Sequence, residues 1–201
     1  MQISDIILAK IHEVIDRKPK AKFNWHNSLY EKIQFISLDD KGDVGEEITY
    51  DILKNRGCKV KHEKGVTGET KGWDLESNRV KIEVKLATIT VGTGGFQHEN
   101  LEAQRDFDAI LFIDVAPNEI FLTVVKKKDI LWRKLHRRIN GVYKCDFSIK
   151  NIKENNISKF SSYKTGLIKT DEDFYNIYKY LETPSKDKKL NKKIKLPSKN
   201  L

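Results

Sequence analysis

The stretch Gly72-Trp73-Asp74-Leu75-Glu76-Ser77-Asn78-Arg79-Val80-Lys81-Ile82-Glu83-Val84-Lys85-Leu86 decides how this chain is read. Val80, Ile82, Val84 and Leu86 alternate with charged residues. That pattern predicts a β-strand over Arg79 to Leu86, with the even-numbered side chains buried and Lys81, Glu83 and Lys85 on the opposite face. Glu76 to Arg79 reads as a turn, and a hairpin through it brings Asp74 near Glu83. A hard divalent cation such as Mg2+ prefers carboxylate and carbonyl oxygens, so Asp74, Glu83 and the Val84 backbone carbonyl form one side of a candidate coordination shell, with the Lys85 ammonium alongside. An Asp/Glu-x-Lys triplet is cheap in so lysine-rich a chain: it also occurs at Asp16, Asp39, Glu69 and Asp187. Only the copy at Glu83 sits in an alternating β-pattern with an Asp nine residues upstream. Without that setting, a half-exposed strand with solvated odd-numbered residues accounts for it equally well.

Upstream, Gly45 to Gly57 predicts a helix with an apolar stripe of Ile48, Ile52 and Leu53, Asp43 as N-cap and Gly57 as C-terminal cap. Cys58 to His62 follows as a short strand. Downstream of the Gly92-Thr93-Gly94-Gly95 break, a helix is expected over about Asn100 to Arg105, then the strongly apolar strand Ala109 to Val115. The Pro117-Asn118 turn leads into a strand over Glu119 to Val125 and a helix over Lys128 to Arg137. This order predicts an α/β fold with a mixed central β-sheet flanked by helices, the 109–115 run being a buried central strand. Short strands are expected around Tyr143 to Ile149 and Ser161 to Ile168, and Asp171 to Leu181 is a closing helix with Phe174, Ile177, Tyr178 and Leu181 on one face. Two further helices, Ile3 to Arg17 and about Asn27 to Ile36, precede the core. The expected organisation is an N-terminal helical appendage (1–40), a core (41–138), a C-terminal accessory region packed on it (139–183) and a basic tail (184–201).

At 201 residues the chain suits one well-buried domain, and no apolar run is long enough to span a bilayer. Cys58 and Cys145 show no disulfide-framework or zinc-ligand spacing, so a cytoplasmic protein is expected. The net charge of +9 favours a polyanionic partner, but +6 of it comes from Pro184 to Leu201, with seven lysines against Asp187. That tail reads either as a disordered solvated segment or as an arm for nucleic acid.

Taken together, Gly45-Glu46, Ile52-Leu53, Gly57, Asp74 and Glu83-Val84-Lys85 resemble the PD-(D/E)xK nuclease superfamily, which includes type II restriction endonucleases and Holliday-junction resolvases. The resemblance spans roughly Gly45 to Val125, and it departs from the pattern in having Trp73 where Pro precedes the Asp. It implies a restriction-endonuclease-like fold and a catalytic set of Glu46, Asp74, Glu83 and Lys85. Asp74 and Glu83 hold Mg2+, with Mn2+ as a substitute, and Glu46 serves a second metal or a bound water; Glu47 is the rival for Glu46. The implied partner is double-stranded DNA, cut by a type II restriction endonuclease acting as a homodimer beside a methyltransferase of the same site; a resolvase, a repair nuclease and a non-catalytic DNA-binding module are the alternatives. Gln97, His98, Asn100, Gln104 and Arg105, just past the glycine break, are candidates for DNA contact near the site. Lys127, Arg133 and Arg137 are candidates for phosphate contact, or simply a solvated basic face.

Overall fold

The computed structural model describes residues 24–62, 72–90, 92–138 and 141–182; the expected helix over Ile3 to Arg17 and the basic tail lie outside them. The first long element is helix α1, Leu38–Asn55. It starts well before Gly45, because Ser37 forms a capping box: its hydroxyl accepts the Asp40 N–H at 3.0 Å while the Asp40 carboxylate accepts the Ser37 N–H. Asp43, expected as N-cap, is therefore inside the helix. At the far end Gly57 adopts φ 78°, the Cys58 N–H donates to the Leu53 carbonyl and the Gly57 N–H to that of Lys54, both at 3.0 Å. This is a Schellman stop, as the glycine predicts.

Strands β1 (Val60–His62), β2 (Leu75–Ser77), β3 (Val80–Thr88), β5 (Ala109–Val115), β6 (Ile120–Lys126) and β9 (Lys164–Ile168) form a six-stranded sheet in the order β1-β2-β3-β5-β6-β9. Only β3 and β5 run parallel; the other neighbours are antiparallel. The β2–β3 hairpin turns through Asn78 and Arg79, both at positive φ (51° and 71°), the geometry whose twist suits a two-residue loop. Every residue of β5 is buried, as expected of the central strand. Strands β4 (Gly95–Glu102), β8 (Val142–Ser148) and β7 (His136–Arg137) form a second sheet in the order β4-β8-β7.

The two faces of the large sheet are covered differently. Val84 and Leu86 face α1, and Gly166 faces helix α3 (Asp171–Tyr178), whose Phe174, Ile177 and Tyr178 are buried as the sequence predicts. On the other face Phe112 and Phe121 meet His98, Phe96 and Phe147 of the small sheet. The fold is thus a mixed α/β sandwich in which helices flank one face and a three-stranded sheet, followed by the short helix α2 (Ile149–Lys153), covers the other.

Three expected helices are corrected. Asn100 to Arg105 is not helical: Phe96, His98 and Leu101 are the buried positions of β4, and a register shift between His98 and Leu101 hides the two-residue period. Lys128 to Arg137 is two 3-10 turns and β7, because the Leu131 N–H pairs with the Lys159 carbonyl and Ile130 bridges to Phe160 instead of closing helical bonds. Asn27 to Ile36 keeps only the 3-10 turn Glu31–Phe35; Leu29 and Tyr30 donate their N–H groups to Asn118 and Pro117 across the molecule. Among the described residues no helix is long and apolar enough to cross a membrane.

Candidate active site

β2 pairs with β3 only over Val80 to Ile82, so among the described residues no strand lies along that edge of β3 from Glu83 onward. Asp74, just ahead of β2, is anchored there: its N–H donates to the Ile82 carbonyl at 2.9 Å and its Oδ2 accepts the Val84 N–H at 2.7 Å. The N–H and C=O of a strand residue point to the same edge, so the Val84 carbonyl faces the Asp74 side. A cleft of about 550 Å³ opens along this edge, between the first turns of α1 and strand β4, and Glu46, Asp74, Glu83, Val84 and Lys85 all line it. Gly45 favours this: a Cβ there would stand 3.1 Å from the Leu86 Cβ, a contact tight enough to push α1 from β3 unless Leu86 gives way, so glycine lets the helix approach closely and deliver Glu46 to the cleft. Glu47, one residue on and rotated by 100°, is exposed and lies 3.8 Å from the His62 Nε2; it does not line the cleft.

Glu83 is only 2 % exposed and carries its charge against cations: the Lys85 Nζ is 2.5 Å from its Oε1, and the Arg105 Nη1 is 3.6 Å from the same oxygen. Its second oxygen, Oε2, is buried without a hydrogen-bond partner. Burial, then the neighbouring Glu83 charge, pushes the Asp74 carboxyl up to about 6, against the Val84 hydrogen bond and Lys85. Glu46 is pushed up to about 7 by burial and by Asp74, Asp43 and Glu83, with Lys85 opposing. Crowded, partly dehydrated carboxylates with one orphaned buried oxygen suit a hard cation, with Asp74, Glu83 and the Val84 carbonyl as donors and water completing the shell. Among the described residues no group of three or more Asp, Glu, His or Cys side chains closes on a single point.

Of the expected DNA-contacting residues, Gln97, Asn100 and Arg105 line the same cleft, Gln97 and Asn100 exposed to solvent. His98 is also a cleft residue, but it corrects the reading of it as a surface residue: its side chain is fully buried and its Nε2 pairs with Asp114 Oδ1 at 2.9 Å between Phe112 and Phe147. Gln104 lies off the cleft and donates to Glu102. Lys127 is half-buried, with its Nζ 2.5 Å from the Arg105 carbonyl and above the Phe107 ring, so it braces the Arg105 turn and does not face the cleft. Arg133 and Arg137 are exposed, but neither lines the cleft. Asp39, Lys41 and Glu99 are cleft residues that sequence reading passed over. Asp39 and Lys41 belong to one of the triplets set aside as unspecific, and the Ser37/Asp40 capping signature would have placed them on the first turn of a helix.

No family model matches this chain, and no curated protein does. Among solved structures it is similar to that of a bacterial homing endonuclease, I-Ssp6803I, at 17% identity and a TM-score of 0.34, over 43% of this chain and 68% of that one. Nothing about activity follows from so partial an overlap.

Proposed function

We propose that the protein is a Mg2+-dependent endonuclease of the PD-(D/E)xK type acting on double-stranded DNA, and within that class a type II restriction endonuclease working as a homodimer with a methyltransferase of the same specificity. The observation that carries this reading is the convergence of Asp74, Glu83, the Val84 carbonyl, Lys85 and Glu46 on one cleft at the unpaired edge of β3. When bound, a divalent cation supplies Lewis-acid polarisation of the phosphate and acidifies water. Asp74 and Glu83 would hold it, with the Val84 carbonyl. Lys85, fixed beside Glu83, orients the attacking water or meets the charge developing on a non-bridging oxygen. Glu46, with its raised proton affinity, is set to accept a proton near neutral pH. Gln97 and Asn100 line the wall where a duplex would lie.

The test is incubation of the protein and its Lys85→Ala variant with unmethylated phage-sized DNA in Mg2+ or EDTA, followed by sequencing of the ends. Discrete Mg2+-dependent fragments sharing one terminal sequence, reduced at least about 100-fold in rate in the variant, establish the restriction reading. Intact linear DNA with cut four-way junctions replaces it with a resolvase. Binding without cleavage of either in any metal removes catalysis from the proposal.

A further inference from the structure

Arg105 holds an unusual position in the cleft. Glu83, almost wholly buried, needs one compensating cation and has two, Lys85 at 2.5 Å and Arg105 at 3.6 Å, both on Oε1. The two differ in freedom. Lys85 projects from the same strand face two residues away, in contact with Glu83. Arg105 comes from the turn after β4, its side chain is 29% exposed, and it has a second anchor in Glu102, whose Oε1 lies 3.1 Å from its Nε. Its main chain, by contrast, is fixed: the Arg105 carbonyl accepts from Lys127 Nζ and from the Phe107 N–H, and Gly72 packs so closely that a Cβ there would stand 3.0 Å from the Asp106 nitrogen. A long, planar, permanently charged side chain on a rigid base is thus leaning on a carboxylate that the nuclease reading gives to a metal.

We propose, resting on that reading, that Arg105 is a displaceable cap on the metal-binding carboxylates. In the protein alone its guanidinium supplies positive charge to Glu83, so a divalent cation entering there is repelled. A DNA phosphate in the cleft offers two oxygens to the guanidinium fork and draws it from Glu83. Metal and nucleic acid therefore bind cooperatively, each strengthening the other by the same factor. Free metal alone leaves the site under-occupied, and a duplex alone is held without its full complement of contacts.

The experiment is calorimetric titration of the full-length protein with Mn2+, alone and with a short phosphorothioate duplex that resists cleavage, for the wild type, Arg105→Gln, Arg105→Lys and Asp74→Asn. Without DNA, Arg105→Gln should bind Mn2+ about tenfold more tightly than the wild type, while the duplex should tighten Mn2+ binding about tenfold in the wild type and little in the variant. Arg105→Lys, which keeps the charge but not the fork, should match the wild type without DNA and lose most of the gain with it. Unchanged or weaker Mn2+ affinity in Arg105→Gln, or an equal gain from the duplex in all proteins, overturns the cap and leaves the nuclease reading standing. Absence of Mn2+ binding in the wild type under both conditions, or undiminished binding in Asp74→Asn, overturns the nuclease reading and the cap with it.

Discussion

Burial, then the Glu83 charge, pushes the Asp74 carboxyl up to about 6, and burial, then the charges of Asp74, Asp43 and Glu83, pushes Glu46 up to about 7, both well above the ordinary carboxylate range. Because their pKa values are higher in the folded chain than in the unfolded one, the folded protein binds these protons more tightly. Their contribution to stability is thus fully present below the ordinary carboxylate pKa and is lost as pH rises through 6 and 7. The metal-free protein should accordingly melt lower at pH 8 than at pH 5, the two groups together being worth roughly 2–3 kcal/mol after allowing for their partial access to water. Asp74→Asn and Glu46→Gln should each raise the melting temperature at pH 8 and shrink the difference from pH 5. Calorimetric scans at the two pH values check this, and a wild type that melts no lower at pH 8 contradicts it. Divalent cation should restore more stability at pH 8 than at pH 5, since the carboxylates hold it only when ionised. Glu83 is almost wholly buried while Asp74 and Glu46 are half-buried, and it has the Lys85 ammonium at contact distance.

At the scale of elements, α1 sets the distance between Glu46 and β3, and two of its glycines play opposite parts. A Cβ on Gly45 meets Leu86 at 3.1 Å, whereas one on Gly42 meets nothing within 4 Å. Gly45→Val should cost about 1–3 kcal/mol through overpacking and slow cleavage by lifting Glu46 from the cleft; Gly42→Ala should gain up to about 1 kcal/mol from helix propensity. Urea unfolding of both variants decides it, and a Gly45→Val protein as stable as the wild type would show that α1 is not held by this contact. Elements whose signal is local were readable from the sequence: the Asn78-Arg79 hairpin, the all-apolar β5, the Gly57 stop and the buried stripe of α3. The β3 pattern put Asp74, Glu83 and Lys85 together because a period of two fixes which side chains share a face. What failed depended on long-range partners. The end of β4 was read as the start of a helix over about Asn100 to Arg105 because the bulge at Glu99 and Asn100 breaks the alternation; both residues line the cleft. His98 looked like a surface residue because nothing nearby in sequence announces Asp114, its partner across the two sheets.

The whole molecule sets its cleft where three layers meet: helix α1, the uncovered edge of β3 and the small sheet carrying β4. Such a site is walled by a helix and a strand and open along one edge, which suits a long polymer better than an enclosed small molecule. Charge is distributed to a different plan. Inside the cleft Lys85 and Arg105 are paired with Glu83, and Lys144, which does not line it, pairs with the cleft residues Gln97 and Glu99. The largest reserve of positive charge in the sequence is the run of seven lysines after Pro184. If that run meets phosphates it does so without base readout, so its removal should change the salt response of binding and not the choice of sequence. A chain ending at Thr183 should therefore show a flatter fall of duplex affinity with salt, the logarithmic slope dropping by about 0.9 for each phosphate that the tail lysines neutralise in the full chain. Its cut sites in low salt should stay the same. Filter-binding titrations across a salt series measure the slope, and end sequencing of the digested DNA checks the sites. An unaltered slope assigns the lysines to solvent alone, while an altered cut sequence gives the tail a part in base recognition that its composition does not suggest.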